Sequence, residues 1–161
     1  MRKLFFCIVI FLLSFMTKAQ EMSVLDLYTV TSTTDIRLTH NFLVNNKGFN
    51  YISTNKDNSD ANFNTDVYLF SYNTNILTVK ISSGMYEGTL KDFSWIIWQI
   101  YDQTEYTYFI NSLTLFSFEK YEEGKYDNGV EYSYWKGTSG MDVLKGVFIS
   151  KHSNYYEVGI I

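Results

Sequence analysis

The sequence predicts an α+β fold: an antiparallel sheet with helices packed on one face, ordered as two tandem helix-then-strands halves. Three observations carry this. Helical periodicity occurs twice, ahead of residue 47 and ahead of residue 115, and each time a series of short β-type segments follows. Those segments are rich in Tyr, Phe, Val and Ile and are separated by short polar turns, as in antiparallel neighbours. Proline is absent, so the turns rest on Gly, Asn, Asp and Ser.

In the first half, Ser23 is an N-cap before Val24 to Tyr28. The cluster Thr31-Ser32-Thr33-Thr34 breaks that helix. A second helix starts with Asp35 in its first turn and shows Ile36, Leu38, Phe42 and Leu43 on its apolar side. Gly48 ends it as an αL cap. Phe49 to Thr54 is read as a short strand, Asn55 to Thr65 as an exposed polar loop, and Asp66 to Asn73 as an alternating strand. Thr74-Asn75 turns the chain into a strand over Ile76 to Ser82, and Gly84 to Lys91 is a loop. Phe93 to Tyr101 is nearly all apolar or aromatic, which predicts a central strand covered on both faces.

In the second half, Thr104 is placed as N-cap of a helix whose Tyr106, Phe109, Ile110 and Leu113 fall at i, i+3, i+4, i+7. Strands are predicted over Phe116 to Tyr121, Val130 to Lys136, Met141 to Ser150 (with Gly146 at a bulge) and Tyr155 to Ile161. Residues 122–129 are a polar connection. The two halves, 20–101 and 102–161, share their element order. Either an internal duplication or the ordinary cycling of an α+β fold accounts for that.

Residues 1–19 read as a secretory signal peptide, leaving 20–161 as a single α+β domain. Arg2 and Lys3 form a positive n-region, Leu4 to Met16 an apolar stretch, and Thr17-Lys18-Ala19 a small-residue cleavage site. The apolar run is shorter than the roughly 20 residues a membrane-spanning helix needs. The expected destination is the periplasm or the extracellular space, with no stable membrane anchor after cleavage. Cleavage removes Arg2, Lys3 and Lys18 and no acid. Lys+Arg falls from 13 to 10 against 17 Asp+Glu, so the net charge moves from −4 to −7. An acidic surface repels phosphate backbones, so nucleic acid is a poor partner. The single cysteine, Cys7, leaves with the signal. The mature chain then has no disulfide and no thiolate nucleophile.

The start Met-Arg-Lys, the hairpin beginning Ser23-Val24-Leu25-Asp26-Leu27 and the segment Asn45-Asn46-Lys47-Gly48-Phe49 resemble a group of small exported proteins of Gram-negative bacteria with no known activity. Those proteins carry a Ser-Leu-x-x-Leu helix and a second helix ending Lys-Lys-Gly-aromatic. The chain departs from that pattern at Val24 and at Asn46. At the level of fold, the element order resembles the tandem αβ repeats of the β-lactamase-inhibitor-protein fold, a likeness that carries no function.

No motif specifies a reaction, a metal or a cofactor, so no catalytic residue, metal ligand or cofactor is assigned. His40 is expected to border the core or solvent, and His152 to lie in a turn. Glu122 and Glu123 read as a solvated pair beside lysines, against the two facing carboxyls a glycosidase needs. Asp57, Asp60 and Asp66 lack the frame of a calcium loop. The most unusual feature is the aromatic run Phe93 to Tyr101. Its first reading is core. Its functional reading places Trp95 or Trp98 on a surface that grips a partner, extended by Tyr68, Tyr72, Tyr132 and Tyr134. The expectation is a non-catalytic exported binding domain for a protein or glycan. The alternatives are a carboxylate-based hydrolase and a carrier of an apolar small molecule.

Overall fold

A computed structural model of the chain describes residues 21–137 and 146–160. The signal segment, the predicted turn at 138–140, residues 141–145 of a predicted strand and Ile161 lie outside these residues.

Ser23 opens helix α1 (Val24–Thr31) through a capping box, in which its side chain and that of Asp26 each bond the other's backbone N–H. Asp35 is the N-cap of the short helix α2 (Ile36–His40), one position before its expected place in the first turn, and its carboxylate accepts from Arg37 N at 2.9 Å. The chain then widens into a π-helical turn over Asn41–Asn46, with Lys47 N donating to Phe42 O. Gly48 follows at φ +72°, the left-handed cap its position predicts. Lys47 ties this end to α1 by a 2.8 Å ion pair with Asp26.

Among the described residues eight strands form one antiparallel sheet: β1 (Asn50–Asp57), β2 (Phe63–Tyr72), β3 (Asn75–Tyr86), β4 (Thr89–Ile100), β5 (Phe118–Lys125), β6 (Glu131–Gly137), β7 (Val147–Lys151) and β8 (Tyr156–Ile160). Their spatial order is β1-β2-β3-β4-β8-β7-β6-β5. Each half is thus helix followed by a four-stranded meander, and the meanders join through their last strands, β4 and β8. Both outer strands carry a register irregularity, between Tyr51 and Ser53 in β1 and between Lys120 and Glu122 in β5. Such bulges twist an edge and interrupt its ladder. Helix α3 (Gln103–Leu115) lies between the two meanders in sequence.

Several expected boundaries are corrected, and cross-strand pairing explains most of them. The loop expected at 55–65 shrinks to residues 58–62, because Asn55, Lys56 and Asp57 pair with Val67, Asp66 and Thr65. The loop expected at Gly84 to Lys91 is a long hairpin instead. Its ladder runs out to Tyr86 and Thr89 around the two-residue turn Glu87-Gly88, both at positive φ, as a type I′ turn requires. The β2–β3 hairpin turns at Asn73-Thr74, and Asn75 already belongs to β3. Likewise β5 extends to Lys125. The N-cap of α3 is Asp102, which reaches the backbone N–H of Thr104 and Glu105 at 2.7 and 2.9 Å. Among the described residues β7 begins at Val147, directly after Gly146, and the part of the predicted strand before Gly146 lies outside them.

The core lies between the helices and one face of the sheet. From the strands come Phe70, Leu77, Val79, Ile96, Trp98, Ile100, Val147, Ile149 and Val158; from the helices come Val24, Leu27, Val30, Leu43, Phe109 and Leu113. The strand register puts these strand residues on one side, with Phe70 opposite Leu77 and Leu77 opposite Trp98. Trp98 meets Phe109 of α3 edge-to-face at 5.8 Å, and Tyr106 stacks on Tyr156 at 3.5 Å. Burying aromatics of this size removes roughly 150–250 Å² each from water. Ser94 on the same face donates to Thr31 O of α1 at 2.9 Å. The buried Asn75 donates to Glu105 and accepts from Tyr101 N, fastening the start of α3 to the sheet.

Candidate binding groove on the open sheet face

Period-two alternation sends every second residue of β2, β3 and β4 away from the helices. On β4 these are Lys91, Phe93, Trp95, Ile97 and Gln99; on β3, Ile76, Thr78, Lys80 and Ser82; on β2, Phe63, Thr65, Val67 and Leu69. Trp95 is therefore 46% exposed while Trp98, three residues on, is 1% exposed. The expectation that β4 is covered on both faces is corrected: the described helices cover the Trp98 side alone, and an odd spacing puts Trp95 on the other.

At one end of this open face the side chains enclose a groove of about 500 Å³. Its aromatic wall is a chain of rings: Phe63 to Phe93 at 5.2 Å and Phe93 to Trp95 at 5.8 Å. Gly84 fixes where Phe63 lies. A Cβ at Gly84 would meet the Asn62 carbonyl and the Phe63 ring, so a residue without a side chain lets that ring lie across β3. The opposite wall is polar. Lys80 Nζ donates to Asp57 Oδ2 at 2.8 Å and sits 5.9 Å from the centre of the Trp95 ring. The Lys80 ammonium, with the Ser59 side chain and backbone N–H as further donors, holds the Asp57 carboxyl well below the usual carboxylate range. The floor is Thr65 and Ser82, both buried, their hydroxyls 2.7 Å apart. Tyr86 and Lys91, diagonal neighbours on the same face beside the Glu87-Gly88 turn, close the end, the ammonium 4.9 Å from the ring centre.

The sequence-derived residues divide between the two faces. Trp95, Tyr132 and Tyr134 lie on the open side. There Tyr132 contacts Tyr134 at 5.6 Å and Tyr134 contacts Phe148 at 5.3 Å, forming a second aromatic cluster across the β4–β8 seam. Tyr132 also donates to Glu122 at 3.2 Å. Trp98 is core. Tyr68 and Tyr72 lie on the helix side and pack against the core, Tyr72 meeting Phe49 at 5.5 Å. Trp98 is corrected as a surface residue, and the register of β2 places the half-buried Tyr68 and Tyr72 on the helix side, away from the groove. Sequence reading missed Phe63, Phe93, Lys80 and Asp57. The i, i+2 pattern Phe93-Trp95-Ile97 was the available signal for Phe93; Asp57 was hidden in a segment taken for loop.

The other candidates hold local partners. Glu123 pairs with Lys120 at 2.7 Å and Asp66 with Lys56 at 3.0 Å. Ser150 and His152 come within 3.1 Å, but Ser150 is buried and the imidazole stacks on Tyr155 at 4.3 Å. Among the described residues no acid bonds that ring to complete a triad, and no group of three or more His, Cys, Asp or Glu is placed to hold a metal ion. His40 borders the core, against Tyr51 and Phe70. No helix of the described residues is long and apolar enough to cross a membrane. No protein-family model, curated protein or solved structure matches the chain.

Proposed function

We propose that the protein is an exported, non-catalytic binding module that takes its ligand on the open face of the sheet, in the groove beside Trp95. The observation that carries this is the position of Trp95. A large indole stands 46% exposed on a sheet face that no described helix covers, flanked by Phe93 and held beside the Lys80–Asp57 pair. Exposed aromatics set among polar groups in a concave site are the usual makings of a binding hot spot. The groove carboxylate Asp57 is engaged by Lys80 and Ser59 and held below its ordinary pKa, which makes it a poor base and favours holding a ligand over transforming it.

Export rests on the signal-like residues 1–19. Protein isolated from the cell envelope should have lost about 19 residues by intact mass; full-length chain in the cytoplasm contradicts export. Binding is tested by affinity isolation of the tagged protein from its host's envelope, comparing wild type, Trp95→Ala and Tyr51→Ala. Tyr51 is 45% exposed but belongs to the helix side of β1. A component retained by wild type and Tyr51→Ala and lost with Trp95→Ala supports the assignment. Retention by Trp95→Ala contradicts it.

A further inference from the structure

The charged lining of the groove is Asp57, Asp60, Lys80 and Lys91, so its formal charge is zero although the chain as a whole is acidic. The Lys80 and Asp57 side chains remain 28% and 26% exposed. An ammonium has three donors and a carboxylate about four acceptor sites; one of each is spent in their mutual bond and Ser59 takes further acceptor sites on Asp57, which leaves Lys80 donors beside a remaining acceptor. The floor adds to this. The Thr65 and Ser82 hydroxyls carry two hydrogens between them, one of which is spent in their 2.7 Å bond. Both residues are more than nine-tenths buried, at 8% and 1% exposure, and the second hydrogen is a further donor at the base of the groove.

These features select a ligand. An anion meets Asp57 and Asp60, and a cation meets Lys80 and Lys91. A wholly apolar molecule would dry the ion pair without replacing its water, which is costly. An extended peptide gains most from an open sheet edge, and this groove lies on a sheet face. What fits is a neutral molecule with a flat apolar face and a rim of groups that both donate and accept. A sugar ring is such a molecule: its C–H face covers an indole, and neighbouring hydroxyls donate to a carboxylate and accept from an ammonium.

We infer that the groove binds a neutral glycan, one ring stacked on Trp95 with adjacent hydroxyls on Asp57 and Lys80. This rests on the open face being the binding surface. The test is a glycan array carrying neutral and charged glycans, probed with the purified protein. Titration calorimetry then follows on the retained glycan with Trp95→Ala, Trp95→Tyr, Asp57→Asn and Tyr51→Ala, each first checked for native circular dichroism. The expected result is retention of neutral glycans with a Kd insensitive to salt. Trp95→Ala and Asp57→Asn should each weaken binding about tenfold or more, the worth of one good contact. Trp95→Tyr should recover part of the loss, and Tyr51→Ala should bind as wild type. Retention of charged glycans alone, or neutral glycans bound equally by Trp95→Ala, overturns the inference. An array that retains nothing also overturns it, while Trp95-dependent isolation of an envelope component would still leave the open face as the binding surface.

Discussion

Trp95 and Trp98, three residues apart on β4, point to opposite faces of the sheet: Trp98 packs edge-to-face on Phe109 beneath α3, and Trp95 stands beside Lys80 on the uncovered side. Trp98→Ala should therefore cost about 3–5 kcal/mol in urea unfolding, as for other large core aromatics. Trp95→Ala should cost little. The Trp98 indole N–H is buried without a partner among the described residues, so Trp98→Phe should recover much of the alanine loss by removing an unpaired donor. Equal destabilisation by Trp95→Ala and Trp98→Ala would mean that both faces of β4 are core.

Gly48 and Gly84 use the missing side chain in different ways. At Gly48 the nearest atom to an added Cβ is in Tyr72, at 3.9 Å, but φ is +72°. Gly48→Ala should thus cost about 1 kcal/mol from backbone strain alone. At Gly84 the obstacle is steric. Gly84→Ala must displace the Asn62 carbonyl and the Phe63 ring, so it should both destabilise the protein and weaken any ligand held by the groove. The two variants are compared by thermal unfolding; a melting temperature unchanged by Gly84→Ala would contradict the placement of Asn62 and Phe63.

The secondary structure was legible where side-chain chemistry acts locally. The Ser23 cap, the Gly48 cap and the Phe109–Leu113 stripe stand where propensity puts them. What sequence could not supply was register. Lys56 and Asp57 look like loop residues, and only pairing with Asp66 and Thr65 makes them strand. Lys80 is an ordinary surface lysine until β1 lies beside β2 and Asp57 reaches over that strand to it, 23 positions away. Tyr68 and Tyr72 alternate as well as any open-face residue, and the sheet's pairing decides that they turn inward.

Two carboxyls should titrate with opposite consequences for stability. The folded state holds Asp57 below its ordinary pKa through Lys80. Its contribution is present at neutral pH and fades as pH falls below about 4, the unfolded value. Glu105 is raised, chiefly by burial and next by Asp102. There the native state binds the proton more tightly than the unfolded chain, so stability falls as pH rises through its titration. Asp57→Asn should lower the melting temperature at pH 7 and flatten the acid limb. Glu105→Gln should be least harmful at pH 7 and relatively worse at pH 4. An effect that changes with pH in the same direction for both variants would contradict these assignments.

The most direct test of the binding face is site-specific photocrosslinking in the living host, with a benzoylphenylalanine placed at Trp95 or at Tyr51. The two positions are almost equally exposed, at 46% and 45%, and lie on opposite sides of the sheet. The open-face assignment predicts a defined adduct at position 95 that is absent at position 51. An adduct at 51 alone, or none at 95, would contradict it.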